Sequence, residues 1–159
     1  MIVNWALRVG ARHADEGLAG RAPQSADWKL ADKLVLSKIR GAFGGEVEHY
    51  ISGSAPLGED TPRWFAGAGI RIMEGYGLTE TSPVISINTM KEFKLGTVGK
   101  PLGNLEVRIA ADGEILVRGP SVFTGYWKNP AATAAVFEVH RLQAGVIGLL
   151  DAWSYCSIT

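Results

Sequence analysis

The stretch EGYGLTETSPVISIN, residues 74–88, decides how the chain is interpreted. Two glycines flank Tyr76, two threonines flank Glu80, and a proline precedes a run rich in β-branched residues. The apolar residues IRIM come just before it and predict a strand, and VISI predicts another. The residues between these strands are therefore predicted to form a glycine-rich loop at the end of a strand.

The side chains of this loop suit a nucleotide. Ligands of α/β sheets bind at the carboxyl ends of strands, and Gly75 and Gly77 let the backbone approach a ligand closely. Tyr76 offers a ring for stacking on a base, Thr79 a hydroxyl for a phosphate oxygen, and Glu80 a carboxylate for Mg²⁺ beside phosphates. The alternative is a glycine-rich turn with an incidental tyrosine and a surface glutamate, and the short motif alone leaves the two equally open.

Helix and strand patterns alternate on the N-terminal side of the loop. The sequence predicts a short helix over residues 1–12, a loop over 13–27, and an amphipathic helix that Asp27 caps and Gly44-Gly45 ends. EVEHYIS then predicts a strand, GSAPLGED a loop and TPRWFAGAG a short helix. The long helix carries its apolar residues at helical spacing, at Leu30, Leu34, Val35 and Ile39.

The pattern changes at Leu105. LEVRIAADGEILVRG alternates apolar and polar residues on both sides of Asp112-Gly113, which predicts a hairpin. NPAATAAVF predicts a helix that Asn129 caps, with Pro130 in its first position. The predicted fold class is α/β, a parallel sheet with helices followed by an antiparallel hairpin region. The predicted division is a partial α/β subdomain over 1–104 and a hairpin subdomain with a divergent tail over 105–159.

Composition narrows the class of protein. The 159 residues carry equal numbers of acidic and basic side chains, which argues against a dedicated nucleic-acid binder. A single cysteine, Cys156, favours a reducing compartment and has no evident base partner for a nucleophilic role. The histidines lack metal-ligand spacing. The expected location is cytoplasmic, with peripheral membrane contact left open, because no apolar run approaches the roughly 18 residues that span a bilayer.

Several stretches together resemble the adenylate-forming (AMP-binding) superfamily, and within it the long-chain fatty acyl-CoA ligases. They occur in the order and at the spacing of that family and cover most of residues 28–137. They are DKLVLSKIR, YISGSAPLG, GYGLTETSPVISIN, GTVGKPL, GEILVRG and TGYWKNPAAT. The resemblance implies part of the large N-terminal domain of such an enzyme, in which a carboxylate attacks the α-phosphate of ATP and CoA then takes the acyl group.

The resemblance also implies roles for single residues. It assigns Tyr76 to adenine stacking, Thr79 to the α-phosphate and Glu80 to Mg²⁺. Ser54 and Ala55 match a segment that borders the nucleotide and acyl pocket. Glu74 and Gly75 match family positions beside the adenylate, and Gly77 completes the Gly-Tyr-Gly motif. The implied ligands are ATP or AMP, Mg²⁺, CoA and a fatty acid.

The tail departs from the family pattern. LQAGVIGLLDAWSYCSIT resembles a stretch that normally reads Thr-Gly-Asp, where the aspartate holds both ribose hydroxyls, and here those positions are Ala144, Gly145 and Val146. A basic residue expected shortly afterwards is Leu149, and a later glycine is Ser154. The phosphate loop of the family is expected upstream of this chain, and its swivelling C-terminal domain downstream.

The sequence therefore predicts a fragment of an ATP-dependent long-chain fatty acid–CoA ligase that is inactive alone. One alternative is a degenerate, non-catalytic remnant or binding module. Another is a different adenylate-forming acid–CoA ligase, for aryl or medium-chain acids. The helix DKLVLSKIR favours the long-chain class.

Overall fold

The computed structural model describes residues 1–158 of the chain. They form two compact units, one over residues 1–73 and one from residue 74 onward. This division does not coincide with the subdomain boundary predicted at 104/105, which stays a prediction. No helix among the described residues is long and apolar enough to cross a membrane.

The first unit is built mainly from helices. Its elements are α1 (Ile2–Arg12), α2 (Ala14–Leu18), α3 (Ala26–Ala31), a π-helical turn (Asp32–Leu36), α4 (Ser37–Ala42), β1 (Tyr50–Ser52) and α5 (Asp60–Gly67). The helix predicted over residues 1–12 is confirmed. The strand predicted over EVEHYIS is confirmed only at its end, in β1, because residues 46–49 form a turn and an irregular segment.

The predicted loop over residues 13–27 is wrong in its first part, because it contains α2. His13 fixes this region. Its Nδ1 lies 2.8 Å from Glu16 Oε1, and its Nε2 lies 3.0 Å from Ser25 Oγ. Ser25, rather than the predicted Asp27, is the N-cap of α3 and accepts from the backbone N–H of Trp28 at 3.3 Å. One side chain thus joins α2 to the start of the next helix.

The long amphipathic helix is present but not uniform. Its middle turn, Asp32–Leu36, has π-helical hydrogen bonding, which rotates the residues after it relative to a regular helix. Leu30, which precedes this turn, is 50% exposed, although the helical spacing predicted it on the buried face. The core of this unit is the cluster Ala6, Val9, Trp28, Ala31, Val35 and Leu36.

Glycines let the helices of the first unit pack closely. A Cβ on Gly10 would lie 2.7 Å from the carbonyl oxygen of Gly67, so α1 and α5 meet backbone to backbone. Gly17 of α2 lies in the same way against the carbonyl of Ala66. Pro62 sits in the first turn of α5, and Gly69 follows the helix with φ +82°.

The second unit consists mainly of antiparallel strands. Its elements are β2 (Ile72–Gly77, which begins at the end of the first unit), a 3₁₀ turn (Thr79–Thr81), β3 (Val84–Ile87), β4 (Lys100–Pro101), β5 (Glu106–Ile109), β6 (Glu114–Arg118), α6 (Pro130–Ala135), β7 (Phe137–Glu138), β8 (Arg141–Leu150) and β9 (Cys156–Ile158). β3 pairs antiparallel with both β2 and β4. The other sheet has the order β5-β6-β8-β7, with β9 on β8.

The predicted hairpin and the helix after it are confirmed. β5 and β6 pair from Glu106↔Arg118 to Ile109↔Ile115. The turn is looser than a two-residue Asp-Gly turn. Gly113 alone takes a positive φ, +91°, and the N–H of Ala110 donates to the carbonyl of Glu114. The side chain of Asn129 accepts from the N–H of Ala132 and caps α6. Side chains from both sheets form the core of this unit, around Ile85, Ile115, Val117, Ala144 and Cys156.

Candidate functional site

The predicted nucleotide loop is a strand end followed by a tight turn. Glu74 to Gly77 complete β2, so the expectation that they lie in the glycine-rich loop is wrong. Gly75 pairs with Ile87 and Tyr76 with Ser86, and a bulge follows Tyr76. A Cβ on Gly77 would overlap the carbonyl of Pro83. The glycines therefore let β3 lie close against β2, which fixes the start of the turn.

Thr81 organises the turn and was missed by the sequence reasoning. It is fully buried, and its hydroxyl accepts from the backbone N–H of Leu78 at 3.0 Å. The hydroxyl also lies within donor distance of two carbonyls, that of Leu78 at 3.0 Å and that of Pro83 at 2.9 Å. These bonds close the turn around Thr79 and Glu80. The two threonines around Glu80 were the sequence signal that could have revealed this role, because one of them points inward and the other outward.

The side chains of Thr79 and Glu80 lie outside this network of internal hydrogen bonds. Thr79 is exposed, and its backbone carbonyl accepts from the N–H of Ser82 at 3.3 Å. Glu80 is half-buried, and its Oε1 accepts from the hydroxyl of Tyr126 at 2.8 Å. The backbone carbonyl of Glu80 accepts from the N–H of Phe123 at 2.8 Å. The turn thus presents a hydroxyl and an oriented carboxylate side by side.

Tyr126 is a second residue that the sequence reasoning missed. TGYWKNPAAT served only as a family marker, and no local pattern links a tyrosine to a glutamate 46 residues earlier. The hydrogen bond to Glu80 raises the pKa of Tyr126, because ionised tyrosine could not donate to a carboxylate.

Tyr76 packs against the core of the second unit. Its ring lies against the cluster that contains Ile85 and Cys156. Burial raises the pKa of Tyr76 to about 12, with smaller contributions from Cys156 and Glu114. Its hydroxyl is buried and makes no hydrogen bond within the described residues. Adenine stacking by this ring stays a prediction. Cys156 is itself fully buried, and burial raises the pKa of its thiol, which keeps it protonated and unreactive.

The other predicted binding residues lie on both units. Ser54 and Ala55 follow β1 in the first unit, where both are exposed and Ser54 takes φ +70°. Such a φ is strained for a residue other than glycine. In the second unit, the carbonyl of Glu74 accepts from the N–H of Asn88 at 2.9 Å. Roles for these residues beside a nucleotide stay predictions.

The tail residues that differ from the family pattern lie in β8. Val146 is half-buried and its side chain has no polar atom; that it stands in the place of the family's aspartate stays a prediction. Gly145 takes φ +66°, and its N–H donates to Glu114 Oε1 at 2.7 Å. Leu149 is exposed, and Ser154 has φ +64°, which fits the glycine expected there. The local geometry is therefore compatible with the proposed alignment of the tail.

The donor set around Glu80 fits Mg²⁺ held beside phosphates. The described residues contain no group of three His, Cys, Asp or Glu side chains that could hold a metal by themselves. Mg²⁺ in nucleotide sites is held through only one or two carboxylates, and phosphate oxygens and water complete its shell. Tyr126 bonds Oε1 of Glu80, so Oε2 can meet a cation.

Known proteins with similar sequences include fatty acid–CoA ligases. The chain is 45% identical over 128 residues to the long-chain-fatty-acid–CoA ligase FadD15 of Mycobacterium bovis, which covers 80% of this chain and 21% of that protein. It is 45% identical over 159 residues to the putative fatty-acid–CoA ligase fadD11 of Mycobacterium tuberculosis, covering 97% of this chain and 28% of that protein. The chain thus spans about a quarter of the length of these relatives.

A solved structure matches the fold as well. The crystal structure of ATP-bound MatB from Rhodopseudomonas palustris aligns with a TM-score of 0.67 and 32% identity, over 81% of this chain and 29% of that one. The AMP-binding enzyme family matches residues 8–127, which include Thr79, Glu80 and Tyr126. The chain belongs to the AMP-binding enzyme family, in which it groups with the adenylate-forming acid–CoA ligases.

Proposed function

We propose that this chain is part of an ATP-dependent long-chain fatty acid–CoA ligase. The intact enzyme takes a fatty acid, ATP and CoA, and Thr79 and Glu80 serve its adenylation step. The proposal is supported by the 45% identity to ligases named for long-chain or other fatty acids. Since the chain spans about a quarter of those proteins, the activity is proposed for the intact enzyme, and the chain alone is proposed to be inactive.

One observation carries the proposal, namely the arrangement of the turn after β2. Thr81 is buried and closes the turn, while Thr79 is exposed and Glu80 is held by Tyr126. An incidental surface turn would not need a buried hydroxyl to fix its neighbours or a distant tyrosine to orient its carboxylate. Preorganised polar groups of this kind are what stabilise developing charge in a transition state.

The reaction proceeds in two steps. A carboxylate oxygen of the fatty acid attacks the α-phosphorus of ATP, and the bond to pyrophosphate breaks, which leaves acyl-AMP. The thiol of CoA then attacks the acyl carbon and AMP departs. Thr79 donates a hydrogen bond to the α-phosphate, and Glu80 presents its carboxylate to the cation that the nucleotide carries. Mg²⁺, when bound, neutralises charge on the phosphate oxygens.

A second candidate function is a non-catalytic nucleotide-binding module, and Val146 is the observation that favours it. The side chain of Val146 cannot accept a hydrogen bond, so ribose would lose a charged partner worth about 1.5–3 kcal/mol per bond. A different acid–CoA ligase, specific for aryl or medium-chain acids, remains the alternative within the enzyme class. The two classes differ in whether this chain's residues can support turnover.

A graft tests the proposal. Residues 28–137 replace the matching segment of the intact ligase FadD15, and formation of acyl-AMP and acyl-CoA is measured with a long-chain fatty acid and with benzoate. We expect adenylation of the long-chain acid, and we expect Thr79→Val to lower turnover more than it weakens fatty-acid binding. A graft that adenylates with residues 28–137 but folds without adenylating when it is extended through residue 159 would support the binding module, because only the longer graft contains Val146. A preference for benzoate would support the aryl class.

A further inference from the structure

Glu80 is held at two points by one later segment of the chain. The hydroxyl of Tyr126 donates to Glu80 Oε1 at 2.8 Å, and the N–H of Phe123 donates to the backbone carbonyl of Glu80 at 2.8 Å. The first bond restricts the carboxylate, and the second restricts the backbone that carries it. A glutamate on an unrestrained surface turn would instead sample several rotamers.

Tyr126 is itself fixed by its surroundings. Its backbone N–H donates to Thr133 Oγ1 in α6 at 2.9 Å. Its ring packs edge-on against Phe123, with the ring centroids 4.9 Å apart. Gly125 precedes it with φ +145°, and a Cβ there would lie 2.6 Å from the methyl group of Thr133. The tyrosine therefore reaches Glu80 from a preorganised position and loses little freedom when it makes the bond.

We propose that Tyr126 is the positioning residue for Glu80: it holds Oε1 so that Oε2 is presented to the cation carried by the nucleotide. This inference rests on the proposed function, in which Glu80 meets Mg²⁺. Tyr126 does not touch the reacting atoms in this scheme and acts only through Glu80. Its hydroxyl is the part that matters, because the ring keeps its packing against Phe123 when the hydroxyl is removed.

The competing explanation is that the bond only ties residues 122–126 to the turn. The two explanations differ in what loss of the hydroxyl changes. A purely structural tie would alter stability and leave metal affinity unchanged once the protein is folded. A positioning role would weaken binding of the metal and leave metal-free nucleotide binding unchanged.

The test uses the 159-residue chain and Mn²⁺ with ATP as the probe. Paramagnetic broadening of the backbone amide signals of Thr79 and Thr81 reports Mn²⁺ beside Glu80, even where binding is weak. We expect Tyr126→Phe to raise the apparent Kd for Mn²⁺ about three- to tenfold, the range that one net hydrogen bond supplies. The affinity for ATP without metal should not change. Tyr155→Phe is the matched control, because phenylalanine keeps the ring that lies near the amino groups of Lys94 and Lys100 and leaves the backbone bond to Asp151 in place.

A double-mutant cycle of Tyr126→Phe and Glu80→Ala, measured by urea unfolding of the metal-free chain, supplies an independent readout. Coupling between the two residues together with weakened Mn²⁺ binding supports the inference. The absence of coupling, or unchanged Mn²⁺ affinity in Tyr126→Phe, overturns it and leaves the proposed function intact. If the wild-type chain shows no broadening that Glu80→Ala abolishes, the metal role of Glu80 in the proposed function fails, and the inference fails with it.

Discussion

Thr81→Val provides the sharpest test of how the turn after β2 is built. Valine has nearly the same shape as threonine but lacks the hydroxyl that accepts from the N–H of Leu78 and reaches the carbonyl of Pro83. The Leu78 N–H would then be left without its partner, at a cost of about 1–3 kcal/mol for an unsatisfied buried group. We expect Thr81→Val to lower the free energy of unfolding by about 2 kcal/mol.

Urea unfolding followed by circular dichroism measures this loss, and Thr79→Val is the matched control. Thr79 lies two residues away in the same turn but is exposed, so its replacement should change stability by less than about 0.5 kcal/mol. Equal losses in the two variants would refute the assignment of Thr81 as the internal hydroxyl. So would a Thr81→Val protein as stable as wild type, because the bonds around Leu78 would then contribute nothing.

Three further predictions concern other residues of the second unit. Because the pKa of Tyr76 is raised to about 12, the contribution of the neutral side chain to stability is fully present below about pH 10 and is lost as the pH rises towards about 12. An ultraviolet titration of Tyr76→Phe should lack the latest tyrosine ionisation, and a curve identical to that of wild type would contradict the burial of Tyr76. Gly77→Ala should lower the free energy of unfolding by about 1–3 kcal/mol, because the new methyl group meets the carbonyl of Pro83. Gly103→Ala is the control and should not lower it, because a Cβ at Gly103 has open space. Similar losses in the two variants would argue against the close approach of β3 to β2. In a FadD15 graft extended through residue 159, Val146→Asp should improve nucleotide affinity on the order of a hundredfold, because the carboxylate adds two hydrogen bonds of about 1.5 kcal/mol each. The affinity for a 2′-deoxy nucleotide should improve much less. An unchanged affinity would mean that the tail is misaligned with the family pattern.

Local sequence patterns were sufficient where hydrogen bonding is local. The Asp-Gly hairpin, the Asn129 cap and the helix at the N-terminus were predictable because their stabilising contacts lie within a few residues. The chain's own glycine pattern misled the prediction at Gly75 and Gly77. Glycine usually marks a loop, but here it lets β3 approach β2, which extends the strand instead.

Features that depend on distant contacts were not predictable. The short helix α2 is too brief to be stable alone and depends on packing of Gly17 against Ala66. The π-helical turn changes which apolar residues of the long helix are buried, and no periodic pattern in the sequence predicts such a turn. The same reason applies to the candidate site. The side chains proposed to bind the nucleotide could be predicted from the motif GYGLTE. The hydrogen bond from Tyr126 to Glu80 could not, because it joins residues 46 positions apart.

The central claim is that Glu80 carries the cation-binding carboxylate of the adenylation site, and one measurement tests it most directly. In the graft of residues 28–137, ATP–pyrophosphate exchange is measured against Mg²⁺ concentration for wild type, Glu80→Gln and the control Glu92→Gln, whose carboxylate pairs with Lys100. The amide keeps the shape of the side chain but removes the charge that a hard cation prefers. We predict a loss of about ten- to a hundredfold for Glu80→Gln, with partial recovery at high Mg²⁺, and a normal rate for Glu92→Gln. A wild-type rate from Glu80→Gln at every Mg²⁺ concentration would contradict the claim and remove Glu80 from the site.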